Sequence, residues 1–97
     1  MPYWVYILKC YKDREFTNFY VGQTNDIEAR MEEHFDNVRF MDTDKYTGRF
    51  DFVKLIWKWR VYTRKEALEL ERAIKDLDHS EKWDLIKGRV RVKDILQ

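Results

Sequence analysis

The sequence predicts one α+β domain: a small three-stranded antiparallel sheet flanked by helices, in the order strand, strand, helix, strand, helix, helix. Three observations carry that expectation. Runs rich in β-branched and aromatic residues stand beside stretches of helical periodicity. Helix-opening signatures of the capping-box kind follow strand-like runs. And the 97 residues, with three Gly and one Pro, contain no Pro/Gly/Ser-rich linker and no repeat that would divide them.

The elements are justified in order. Residues 4–10 (WVYILKC) and 19–24 (FYVGQT) read as strands, with the polar stretch 11–18 as the hairpin connection. Asn25-Asp26-Ile27-Glu28 resembles a capping box with Asn25 as the cap, opening a helix to about His34 or slightly beyond. At 100° per residue its buried stripe is Ile27, Met31, Phe35 and Val38. Residues 36–51 lack periodicity and are expected to form a long loop. Residues 52–61 alternate, with Val53, Leu55, Trp57, Trp59 and Val61 on one face and Lys54, Ile56, Lys58 and Arg60 on the other. Thr63-Arg64-Lys65-Glu66 opens a helix to Leu77 whose core stripe is Ala67, Leu70, Ile74 and Leu77. Ser80 is the expected cap of a short third helix ending near Gly88. Residues 1–88 make the domain, and 89–97 follow as a basic tail or edge strand.

Composition narrows the function. A hydrophobic content of 44% with 16% aromatics excludes a disordered segment. The single Cys10 excludes an internal disulfide framework and fits a reducing, cytoplasmic setting. No apolar run approaches the roughly 20 residues that span a bilayer, so no membrane partner is expected. The net charge of +1 exerts no global pull on nucleic acid. It nevertheless conceals blocks: residues 48–64 hold five basic groups against one acidic, and 87–97 four against one, whereas 25–47 hold three against seven. The acidic blocks are solvated helix faces and the basic ones loops and edges, or the basic blocks converge on one anionic ligand. If they converge, 48–64 and 87–97 line or flank the cleft that binds it.

A few polar residues sit where a core does not require them. His34 and Arg30 lie one turn apart at the edge of the first helix's apolar stripe. They could offer a cation and a titratable base to one phosphate, or serve as a surface ion pair and a helix-end residue. Glu71 flanks the second helix's stripe, as a hard ligand for Mg²⁺ or as a partner for Lys75 four residues on. Tyr6 and Tyr20 are strand residues that reach one face if the register allows it. Other motifs fail: residues 42–48 put Lys45 and Tyr46 where a calcium loop needs oxygen ligands, and two His with one Cys do not make a usual zinc site.

Taken together, Trp4-Val5-Tyr6, Tyr20-Val21-Gly22, Arg30 and His34 on the next helix, and Glu71 on a later one resemble the GIY-YIG nuclease family. Residues 45–49 (KYTGR) and the stretch from Glu66 to Leu77 are similar to its small stand-alone members, and the likeness spans about residues 3–86. It implies a metal-dependent endonuclease that hydrolyses phosphodiester bonds in nucleic acid, DNA before RNA, with DNA repair or recombination as a setting it would serve. One divalent ion, Mg²⁺ or Mn²⁺, is held by Glu71. The implied catalytic residues are Tyr6, Tyr20, Arg30, His34 and Glu71. The expected substrate-contacting set is Gly22, Gln23, Arg49, Lys54, Lys58 and Arg60. The chain departs from the pattern in Trp4, which stands at the name-giving Gly, and in Gln23, where some relatives carry a basic residue. Its interval between the triplets is also longer, implying a bigger hairpin loop. A non-cleaving nucleic-acid-binding module on the same fold is the alternative. A protein-interaction domain anchored by exposed aromatics such as Tyr3, Tyr11 or Trp83 is the third reading.

Overall fold

The structure, a computed structural model, describes residues 2–96. Its elements are β1 (Tyr3–Lys12), β2 (Glu15–Thr24), α1 (Ile27–Arg39), β3 (Phe52–Val61), α2 (Arg64–Lys75), α3 (His79–Ile86) and α4 (Val92–Ile95). The expected α+β architecture is therefore observed, with one more helix at its end. β1 is the central strand, antiparallel to β2 on one side and β3 on the other.

The hairpin differs from expectation in a way that follows from its turn. Asp13 and Arg14 both adopt positive φ, 53° and 69°, the left-handed pair that a type I′ turn requires and that matches the twist of its strands. The long interval between the two tyrosine triplets is thus spent on longer strands, not on a bigger loop. β3 departs more consequentially. Ile7 pairs with Trp57 but Leu8 pairs with Leu55, so Ile56 is an extra, unpaired residue in a β-bulge. Past a bulge the side chains exchange faces. Val53 and Leu55 pack with Tyr6 and Leu8, whereas Trp57 and Val61 pack with Val5 and Ile7. The single apolar face expected of this strand is split, and so is its basic face: Lys58 and Arg60 stand opposite Tyr6 and Trp4, with Lys54 on the reverse side.

Two cores result, one on each side of the sheet. Ala67, Leu70 and Ile74 of α2 and Leu85 of α3 bury against Val5, Ile7 and Val21. On the other side, Met31 of α1 packs on Tyr6, Leu8, Cys10 and Val53. Local signals account for the helix ends, with small shifts. Asp26, not Asn25, caps α1, accepting from the Ala29 amide at 3.1 Å. Thr63 caps α2 as expected. Asp78, not Ser80, caps α3 in a reciprocal capping box with Glu81. Gly88, at φ 77°, follows the C-cap of α3. The tail is no edge strand: Val92 is buried in the α2–α3 core and carries the short helix α4 with it.

Candidate active site

Four of the expected site residues meet beneath α1. In the β1–β2 register Leu8 lies opposite Tyr20 and Tyr6 opposite Gly22, which places both tyrosines on the α1 side with ring centroids 6.2 Å apart. The glycine is required there. A Cβ on Gly22 would sit 2.5 Å from the Tyr6 hydroxyl and 2.7 Å from Cζ. Only a bare backbone lets the phenol cross β2 toward the helix.

On α1 the buried stripe is not the one expected. His34 is 2% exposed while Phe35 is 42% exposed, because α1 is rotated to turn the imidazole onto the tyrosines. His34 Nε2 and the Tyr6 hydroxyl are 2.8 Å apart, and Arg30 Nε donates to the same hydroxyl at 3.3 Å. On its far side His34 Nδ1 lies 3.0 Å from Thr47 Oγ1, in the 3-10 turn Thr47–Arg49. The Tyr20 ring packs edge-on to the imidazole at 5.0 Å and stacks on Tyr46 at 5.3 Å. The Tyr46 hydroxyl is in turn bonded by the Asn18 side-chain amide. No buried side-chain nitrogen or oxygen among the described residues lacks a partner.

Burial sets the protonation states. The Tyr6 phenol is fully enclosed and its pKa rises well above the usual tyrosine range, chiefly by loss of solvent. His34 is lowered to about 4 by its burial first and then by the neighbouring Arg30 charge, so it is neutral at pH 7. Burial opposes the charge on Arg30, but its bonds to Tyr6 and to Glu33, the latter at 2.6 Å, outweigh that penalty and keep it cationic.

Beside this network a cleft of about 420 Å³ opens, walled by Tyr20, Arg30, His34, Lys45, Tyr46 and Thr47 among others. Its walls come from β2, α1 and the segment before residue 48; residues 48–64 and 87–97 contribute none of them. The basic blocks therefore do not line this cleft. Arg89 and Arg91 pair locally with Asp84 and Asp94. Lys58 lies over the Trp4 ring and Arg60 over Tyr62, while Arg49 donates to the Thr43 carbonyl. Gly22 is buried, and Gln23 shares with Val21 the sheet face that α2 covers.

Residues 2–84 match the model of the GIY-YIG catalytic domain. The chain belongs to the GIY-YIG family. Two further proteins are similar to this family member along most of its length. UPF0213 protein BH0048 of Halalkalibacterium halodurans is 33% identical over 87 residues, covering 89% of this chain and 83% of that protein. UPF0213 protein CPE1444 of Clostridium perfringens is 35% identical over 86 residues, covering 89% and 84%. The solution NMR structure of UPF0213 protein BH0048 from Bacillus halodurans superposes with a TM-score of 0.53 at 30% identity, covering 90% of this chain and 84% of that one. Family membership places the chain among nuclease-like domains that act on nucleic acid, a class that typically uses a divalent metal. No helix among the described residues is long and apolar enough to cross a membrane.

Glu71 is not part of that hydrogen-bond network. It lies on α2, across the sheet from α1, and pairs with Lys75 at 3.0 Å. Its charge still reaches Tyr6, where it opposes ionisation of the phenol. Among the described residues no group of three or more His, Cys, Asp and Glu is gathered that could hold a metal by itself. The donor chemistry of Glu71 nonetheless suits Mg²⁺, which takes one or two carboxylates and completes its shell with water and phosphate oxygens. The carboxylate is 17% exposed and its lysine partner 56%, so the partner is the more solvated half of the pair.

Sequence reasoning missed Thr47, Tyr46 and Asn37. The signal was present in residues 45–49, but charge drew attention to Arg49, and nothing local shows that Thr47 reaches a histidine thirteen residues earlier.

Proposed function

We propose that this chain is a metal-dependent endonuclease that hydrolyses phosphodiester bonds in nucleic acid, with DNA the first substrate to test. The observation that carries the reading is the Arg30–Tyr6–His34 network, aimed into a cleft whose wall includes the Tyr20 ring. Phosphodiester hydrolysis accumulates negative charge on the phosphate, and a preorganised guanidinium stabilises that charge without reorganising at the moment of reaction. Arg30 fits this role: Tyr6 holds its Nε, and its outer end, now bonded to exposed Glu33, faces the cleft. Tyr6 is too enclosed to meet a water molecule and acts through Arg30. Tyr20, which lines the cleft, is the phenol that orients and deprotonates the attacking water. Glu71 would hold the divalent ion, which supplies Lewis-acid stabilisation of the leaving oxygen when bound.

The test is cleavage of plain, flapped and branched DNA with Mg²⁺ or Mn²⁺. Arg30→Ala and Glu71→Ala each reduce the rate by about 10²-fold or more while the fold is retained. A parent that binds DNA in a salt-sensitive way, cuts none of these substrates and binds equally well as Glu71→Ala is instead a binding module.

A further inference from the structure

We infer that Thr47 is a positioning residue of this site: by accepting the Nδ1 hydrogen of His34 it leaves Nε2 bare to take the Tyr6 hydroxyl hydrogen, which turns the Tyr6 oxygen's lone pairs toward Arg30. The assignment follows from counting hydrogens in a sealed space. Tyr6 is 0% exposed, and its oxygen has two polar neighbours, His34 Nε2 at 2.8 Å and Arg30 Nε at 3.3 Å. A guanidinium only donates. The Tyr6 hydrogen therefore has one acceptor available, Nε2, and the neutral imidazole must carry its own hydrogen on Nδ1. That hydrogen meets Thr47 Oγ1 at 3.0 Å, and the hydroxyl's own hydrogen then goes to the Asn37 side-chain amide 3.4 Å away, turned by the half-rotation that exchanges its oxygen and nitrogen. In the opposite tautomer the Tyr6 oxygen would receive two hydrogens and leave its own buried without a partner.

Thr47 is itself held rigidly. It is 1% exposed, and the glycine after it approaches the chain so closely that a Cβ on Gly48 would lie 1.9 Å from the Asp42 carbonyl oxygen. On its other side Tyr46 is stacked on Tyr20. The turn thus sets the direction of a hydrogen-bond series running from Tyr6 through His34 to Thr47, with Arg30 donating into its start. The catalytic consequence rests on the nuclease reading; the tautomer does not.

The test reads the ring nitrogens. In ¹⁵N-labelled protein at pH 7, long-range ¹H–¹⁵N spectra should show His34 with a hydrogen-bearing Nδ1 and a bare Nε2. Thr47→Ser should keep that pattern and the parent's Nδ1 hydrogen shift, while Thr47→Val, lacking the acceptor, should keep the tautomer but move the Nδ1 hydrogen upfield and speed its exchange. A parent with its hydrogen on Nε2 overturns the assignment, even where Thr47→Val fails to fold. A folded Thr47→Val whose Nδ1 hydrogen keeps the parent's shift and exchange rate overturns the role of Thr47. Because nothing here depends on cleavage, an inactive parent would refute the nuclease proposal and leave this one standing.

Discussion

The two faces of the sheet bury comparable numbers of strand residues but are built of different material. Against α2, α3 and α4 the core is hydrocarbon, with Val5, Ile7, Val21, Leu70, Ile74 and Leu85 at its centre. Against α1 a smaller apolar cluster of Leu8, Cys10, Met31 and Val53 is joined by polar groups: β1 and β2 present Tyr6, Tyr20 and Gly22, and the helix answers with Arg30 and His34. The first face can tolerate imperfect shape, because dispersion and burial are non-directional. The second cannot, because each polar group enclosed there costs free energy unless its partner is in place. One face supplies stability, and the other spends part of it on orienting a guanidinium and a phenol at a cleft.

Substitutions should separate the faces. The largest thermodynamic effect is expected from Leu70→Ala, which opens a cavity in the hydrocarbon core. Chemical denaturation should show a loss of about 2–5 kcal/mol, while nuclease activity per folded molecule stays near the parent's. A comparable loss of activity in the folded fraction would mean that the two faces are coupled.

Acid should act on the α1 face through His34. His34 titrates near pH 4 in the fold against an ordinary value of 6.5, so between those limits the unfolded chain binds a proton that the folded one refuses. The stabilisation is complete above pH 6.5 and is lost as the pH falls toward 4. Melting curves should register about 3 kcal/mol across that window. His34→Gln should flatten the dependence; an unchanged profile would show that the histidine is not sealed.

The smallest expected effect sharpens the same contrast. Tyr6→Phe retains the ring packing but removes the acceptor for Arg30 and the donor to His34. Arg30 is part-exposed and can regain water, so the uncompensated loss is one buried ring nitrogen, about 1 kcal/mol by denaturation. Cleavage should fall more than stability does, since the guanidinium loses its anchor. Equal losses in the two would make Tyr6 a packing residue only.

Much of this molecule was legible because the signals are local. The three strands and first three helices follow from residue types and spacing, and Thr63 caps its helix where its sequence says it should. The cap shifts at Asp26 and Asp78 are of one and two residues, where neighbouring side chains could each have served. The candidate residues Tyr6, Tyr20, Arg30, His34 and Glu71 were likewise reached from ordered motifs. What escaped is non-local. Nothing around Ile56 announces a bulge, since the extra residue is defined only by pairing with β1, and that one residue moves Lys54 away from Lys58 and Arg60. Helical periodicity alone favoured Phe35 over His34; a tyrosine twenty-eight residues earlier, free to cross a glycine, reversed the choice.

The sequence by itself determined which elements form and in what order, because helix caps, turns and strand periodicity depend on residues within a few positions of one another; its candidate side chains came from a family resemblance. Tertiary structure alone decided which of those side chains meet. It put Tyr6, Tyr20, Arg30 and His34 under one helix with Thr47 behind the imidazole, kept Glu71 on α2 outside their hydrogen-bond network, and drew the cleft away from the basic blocks. Strand register, bulges and buried hydrogen-bond partners are settled by contacts across the fold, and no local pattern encodes them.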